Sequence, residues 1–323
     1  MSCRICKAFK KALLISALVA GMTAGVTAAE VESIHFLIPG GAGGGWDSTA
    51  RGVGEALKKS GLVGKTSFEN MSGGGGGKAI AYLIKTASKQ QNTMMVNSTP
   101  IVIRSLQGVF PQSFRDLTLI ASVIADYQVL VVRPDSKYKT WNDLLAAFKK
   151  DPRSVKIAGG SSRGSMDHLV AAQIFQAAGA DPKTLRYVPY DAGGKALAGL
   201  LTGEVDALST GLGEVLDKHK KGQVRILGVT SKEPIEGIPS FKSMGTDAYF
   251  ANWRGFFGAP NLPKEKVDAF NSVLKKMYDT PEWEAVRARN GWTNLYQPGE
   301  QFRKFLEAQE KTIGGLMKDL GFL

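Results

Sequence analysis

Ile34 to Leu57 reads IHFLIPGGAGGGWDSTARGVGEAL, and the fold follows from it. A short apolar run ends at Pro39, and five glycines fall within the six residues Gly40 to Gly45. Trp46-Asp47 then opens a segment in which Ala50, Val53, Gly54 and Leu57 recur at i, i+3, i+4 and i+7, the spacing of a helix with one buried face. Strand, glycine loop and helix start, in that order, leave bare backbone N–H groups at the positive end of a helix dipole. Such an end accepts anions, because first-turn amides have no partner inside the helix.

The same arrangement recurs down the chain. Thr66 to Asn70 reads as a strand running into Ser72 and Gly73 to Gly77, then a helix from Lys78. Met94 to Val96 is a short buried strand ending in Asn97-Ser98-Thr99-Pro100 ahead of another helix. Val155 to Ala158 leads to Gly159-Gly160-Ser161-Ser162-Arg163-Gly164-Ser165 and a helix with an apolar face of Met166, Leu169, Val170 and Ile174. Leu185 to Val188 leads to Pro189-Tyr190-Asp191-Ala192-Gly193-Gly194 and a further helix. Apolar runs alternating with helical patterns are the sign of βαβ units, so the fold class is α/β, with mostly parallel sheets flanked by helices. Ligands of such sheets sit beyond the strand carboxyl ends, where all five loops lie.

Two lobes are expected from 323 residues. The first comprises 30–127 and 256–323, the second 128–255. One crossing falls near Ala125 to Val132, and the return falls at Phe256-Phe257-Gly258-Ala259. Beyond the return only helices are expected, and a ligand cleft separates the lobes. Residues 1–29 read as a cleavable signal peptide. Arg4, Lys7, Lys10 and Lys11 precede a short apolar run, Ala12 to Gly21, and small residues follow it. Both cysteines, Cys3 and Cys6, fall inside that leader, so the mature chain carries no disulfide framework. Export of a cysteine-free, two-lobed protein points to the periplasm.

The formal charge is +12, and four of the positive charges lie in the leader, leaving +8. The lysines are scattered, and no basic stretch is interleaved with aromatics, which argues against nucleic acid as a partner. Either steering of an anionic solute or plain solubility accounts for the balance.

Enzyme chemistry finds little support. A phosphate-binding loop at Lys78 has Ser72 where the first glycine belongs and Ala79 where the metal-binding hydroxyl belongs. A dinucleotide fingerprint on Gly41 and Gly43 has no acidic residue at the expected distance. His35, His168 and His219 are widely separated and form no metal-ligand pattern, so neither cofactor nor metal is expected. Asp47 serves either as a cap and dipole partner or as a ligand contact, and Arg51 falls beside Glu55 as an ion-pair candidate. Arg163 offers a charge-assisted bond to a carboxylate.

The segments PGGAGGGWDSTAR, ENMSGGGGGKAI, GGSSRGSMDHL, YVPYDAGGKALAGLLTGEVDAL and FFGAPNLPKEKV resemble, in order, the solute receptors of tripartite tricarboxylate transporters, the Bug or TctC type. The resemblance implies a two-lobed periplasmic binding protein that closes on a small carboxylate and hands it to a permease of one large and one small membrane subunit. It also implies which residues hold the ligand. In the first lobe they are Pro39, Gly40, Gly41, Gly43, Gly44, Gly45, Trp46 and Asp47, then Asn70, Ser72, Gly73 and Gly74; Ser98 and Thr99 join them as candidates because their loop is itself an anion-accepting helix start. In the second lobe they are Ser161, Ser162, Gly164 and Ser165, with Tyr190 nearby. Trp46 is similar to the tricarboxylate-type members rather than the amino-acid binders. Ser162 and Arg163 depart from the glycine and small aliphatic residue expected there, so Arg163 is either an extra anchor or a surface arginine. The reading is a monomeric receptor for a di- or tricarboxylate, citrate-like compounds first. The alternatives are a same-fold receptor for an amino acid or aromatic acid, one that signals, and a secreted enzyme acting on carboxylates.

Overall fold

The computed structural model describes residues 31–323; the leader expected at 1–29 lies outside the described residues. The opening segment folds as β1 (Val31–Ile38), a glycine loop and α1 (Gly45–Lys59). Ala50, Val53 and Leu57 are fully buried, as their spacing requires. Gly54 has a packing reason: a Cβ there would lie 2.6 Å from the Phe68 ring, so the missing side chain lets α1 lie close on the sheet. Next come β2 (Val63–Asn70), α2 (Gly77–Lys85), β3 (Thr93–Ser98) and α3 (Pro100–Leu106).

β4 (Thr118–Val132) is one 15-residue strand where the sequence suggests two apolar runs. Its Asp126-Tyr127 break is polar but still extended, because the strand passes from one sheet to the other there. Thr118 to Tyr127 pair with β9, and from Gln128 onward the partners are β7 and β8. The second lobe holds α4 (Trp141–Lys150), β5 (Lys156–Gly159), α5 (Met166–Ala177), β6 (Arg186–Pro189), α6 (Gly193–Leu201), β7 (Ala207–Gly211), α7 (Leu212–Lys220) and β8 (Arg225–Val229). The chain returns through β9 (Ala251–Gly258), which pairs in the first sheet from Ala251, five residues ahead of the expected crossing. It ends with α8 (Lys264–Met277), α9 (Pro281–Asn290), β10 (Thr293–Pro298) and α10 (Gly299–Asp319).

Each sheet is therefore mixed. The parallel βαβ cores β2-β1-β3 and β7-β5-β6 form as the alternation implies, and β4 and β9 add antiparallel neighbours. The tail is not helical throughout: β10 pairs antiparallel with β4. Its TNLYQP sequence has no buried face, so it carries no apolar signature. Apolar clusters fill both sides of the sheets. One sets Phe36, Val53, Phe256 and Trp283 between the first sheet and α1, α8 and α9. A larger one runs from Leu83 and Phe302 to Trp141 and Phe175, joining the lobes. No helix among the described residues is long and apolar enough to cross a membrane.

Candidate functional site

Five strand-to-helix loops meet around one cavity of about 180 Å³. That is below the roughly 300–1,000 Å³ of pockets for drug-sized molecules, and so suits a small metabolite. On the first-lobe side Pro39, Gly40, Gly41, Gly44, Gly45 and Trp46 line it. The Trp46 indole N–H donates to Ser98 Oγ (2.9 Å), and its ring lies where a Cβ on Gly40 would clash at 2.9 Å. Gly73 to Gly76 form a second wall with Ser72. All four glycines have φ between +58° and +141°, a run of backbone that side chains would strain. Ser98 and Pro100 close this side.

The second lobe supplies Ser161, Ser162, Ser165 and Tyr190, together with Gly160, Met166, Asp167, Ala192 and Gly193. The two lobes touch at the rim: a methyl added to Gly41 would meet the Ala192 methyl at 3.0 Å.

Four helices point their N-termini at this space: α1 through Gly44-Gly45, α2 through Gly76, α5 through Ser165-Met166 and α6 through Ala192-Gly193. None is capped by its own N-cap side chain. Helices α4 and α9, away from the cavity, are capped by Thr140 and Thr280. Caps are also missing from α8 and α10, away from the cavity, and at the cavity Ser161 Oγ accepts the Asp167 N–H of α5 (3.0 Å); what the four ends share is that their first-turn amides face one space, where an acceptor can reach them.

Six residues expected at the site do not line the cavity. Asp47 accepts the Gly43 N–H (3.0 Å), Arg51 Nε (2.8 Å) and Asn70 Nδ2 (3.0 Å). Asn70 also donates to the Gly40 carbonyl (2.9 Å). Asp47, Asn70 and Gly43 therefore brace the glycine loop from behind. Thr99 donates its hydroxyl to Asn252 Oδ1 (2.9 Å) and is buried. Arg163 turns its guanidinium to the Tyr187 carbonyl, and the Gly164 N–H donates to His168 Nδ1 (3.0 Å). What the 163–164 segment offers is backbone: its carbonyls accept from Arg104 of α3 (3.4 Å) and from Gln107 just beyond it (2.9 Å), a bond pair across the lobes. Tyr190 lines the cavity, while its hydroxyl end packs where a Cβ on Gly199 would sit.

The charged groups in the wall are residues that the sequence did not single out. Arg254 of β9, only 2% exposed, pairs with the fully buried Asp126 of β4 (2.9 Å) and donates to Thr49 Oγ1 (3.2 Å). Glu214, in the first turn of α7, lies 3.9 Å from the same guanidinium. Asp167 of α5 accepts from Gln128 Nε2 (2.8 Å). Burial pushes the Glu214 carboxyl up to about 8 and that of Asp167 up to about 6. Asp126 is also raised by burial, against the opposing pull of Arg254. One signal was readable: a charged residue inside the otherwise apolar Trp253-Arg254-Gly255-Phe256-Phe257 run. Among the described residues, no group of three or more His, Cys, Asp or Glu has metal-binding geometry.

The chain is 26% identical over 256 residues to the UPF0065 protein in the tcbD-tcbE intergenic region of Pseudomonas sp. (strain P51), covering 77% of this chain and 74% of that protein. It shares its fold with the periplasmic binding protein BugD (TM-score 0.81, 20% identity, 90% of this chain and 98% of that one). It does so too with MatC from Rhodopseudomonas palustris, solved with bound malate (TM-score 0.76, 18% identity, 88% and 99%). Residues 50–322 match the Tripartite tricarboxylate transporter family receptor, so the chain belongs to that family of solute-binding receptors, which are not enzymes.

Proposed function

We propose that the protein is a monomeric periplasmic receptor that traps a di- or tricarboxylate between its lobes and delivers it to a permease of one large and one small membrane subunit. The observation that carries this reading is the convergence of four helix N-termini, two from each lobe, on one small cavity. A hydrogen bond to a charged group contributes about 1.5–3 kcal/mol. Three to five amide bonds to carboxylate oxygens therefore contribute about 5–15 kcal/mol against the cost of association, and a micromolar complex needs roughly 8 kcal/mol net. Bringing the lobes together around the acid is the change the permease would read.

Within this class the wall favours few negative charges. Its arginine is already paired with Asp126, and Arg163 faces elsewhere. A dicarboxylate such as malate, the acid carried by the R. palustris relative in fold, therefore fits better than a citrate trianion. Glu214 and Asp167 support a second reading, an amino acid whose ammonium pairs with them.

A thermal-shift panel of malate, succinate, citrate, aspartate, benzoate and glucose tests the assignment. A bound acid at 100 times its dissociation constant adds about 2.7 kcal/mol to stability. Protection by a dicarboxylate and none by glucose is the expected result. Protection by glucose alone would overturn the carboxylate reading, and protection by aspartate alone would select the second one.

A further inference from the structure

Glu214 is a charged residue of the cavity that its neighbours satisfy only in part, the Thr210 hydroxyl being its one close side-chain donor. Its Oε2 is buried and accepts no hydrogen bond, and its Oε1 stands 3.9 Å from Arg254, beyond hydrogen-bond reach. The guanidinium is already engaged by Asp126 and Thr49. One cation thus serves two carboxylates, and the deeper, closer one holds it. Space for the Glu214 carboxyl is made by two glycines, one from each lobe. A Cβ on Gly193 would sit 1.7 Å from Oε2, and one on Gly45 3.0 Å from Oε1. The carboxyl therefore lies between the N-termini of α1 and α6, against the space left for a ligand.

We propose that Glu214 is a ligand-binding residue that works as the neutral acid, donating its proton in a hydrogen bond to the bound carboxylate. This rests on the carboxylate-receptor reading and adds to it: the complex holds a Glu214 proton, taken up with the anion only above about pH 8. The alternative state, an ionised Glu214 beside an ionised ligand, sets like charges together with a counter-ion already held by Asp126. The groups facing Glu214 are Arg254 of β9, Asp126 of β4, Asp167 of α5 and the Thr210 hydroxyl of β7. Burial and the two aspartates favour its neutral form, while Arg254 and Thr210 oppose it. The balance leaves the carboxyl protonated at pH 7, at about 8. Asp167, at about 6 and bonded to Gln128, is mostly ionised there.

The test is calorimetric titration of the mature chain and its Glu214→Gln variant with malate, succinate and aspartate from pH 7 to 9. Malate and succinate are fully ionised throughout, so the ligand adds no slope of its own. Affinity of the unaltered chain for whichever of the two dicarboxylates binds is expected to fall about fivefold between pH 8 and 9. Glu214→Gln, whose amide donates but cannot ionise, is expected to bind with no slope. Infrared difference spectra between the two ligand-free proteins at pH 7 should show a neutral-carboxyl band lost in the variant. A flat profile in the unaltered chain, a slope that survives in Glu214→Gln, or no neutral-carboxyl band would each overturn the proposal and leave the receptor reading standing. Aspartate binding that tightens as pH rises would overturn it in favour of an ionised Glu214 pairing with an ammonium. Binding of none of the three acids would remove the parent reading, and this one with it.

Discussion

Arg163 and Arg254 invite comparison because sequence and topology rank them oppositely. Arg163 lies in a loop of glycines and serines beside a helix start, where an anion anchor is expected, and its guanidinium bonds to the Tyr187 carbonyl instead. Arg254 lies in a buried strand, far in sequence from any glycine loop, and it lines the cavity. A loop residue's side chain is free to turn either way. A residue on β9 is fixed by its register, with Arg254 opposite Ile124 of β4 and Ser98 of β3. The inward-facing charge comes from the element with least freedom.

The largest test of that contrast is Arg254→Met. It leaves Asp126 buried without its cation, and breaking such a pair costs about 3–5 kcal/mol. Urea melts should show a loss of that order, and a loss below about 1 kcal/mol would mean that Asp126 does not depend on Arg254. The two regions should also respond to pH in opposite directions. His168, beside Arg163, is held down to about 4 by burial and then by the Arg163 charge. Its folded value is depressed, so its contribution is present above the unfolded value near 6.5 and is lost as pH falls toward 4, by up to about 3 kcal/mol. Glu214, beside Arg254, is raised, so its contribution is present below about 4.5 and is lost as pH rises through about 8. Melts from pH 4 to 9 should flatten on the acid side in His168→Gln and on the alkaline side in Glu214→Gln. Identical profiles in all three proteins would erase the distinction.

Gly193→Ala is a smaller perturbation at the Arg254 side. Its methyl would occupy the place of Glu214 Oε2, and such overpacking costs about 1–3 kcal/mol. The loss should appear in ligand affinity as well as in stability, since the displaced carboxyl faces the cavity. The smallest effect is expected from Arg163→Ala, about 0.5–1.5 kcal/mol of stability for one hydrogen bond. Calorimetry should find malate and citrate weakened equally, and a selective loss of citrate would return Arg163 to the site.

The glycine loops and their helices were legible in the sequence because local rules determine them. Only glycine follows the backbone from Gly73 to Gly76, and the α1 face is written in Ala50, Val53 and Leu57. What was hidden depends on pairing between distant segments. The join of two apolar runs into β4 needs β9 on one half and β7 on the other. β10 is a partly exposed strand whose evidence is its partner, β4. Glu214 and Arg254 are 40 residues apart in chain number, and only the folded sheets bring them to one cavity. Asp47 marks the boundary. Its position at a helix start was readable, but the choice between cap and ligand contact needed the geometry of Gly43, Arg51 and Asn70.

The most direct measurement is a crystal structure of the mature chain grown with malate. The account expects carboxylate oxygens within about 3 Å of backbone N–H groups at the starts of α1 and of α5 or α6. A ligand held chiefly by lysine or arginine side chains, with those amides left to water, would contradict it.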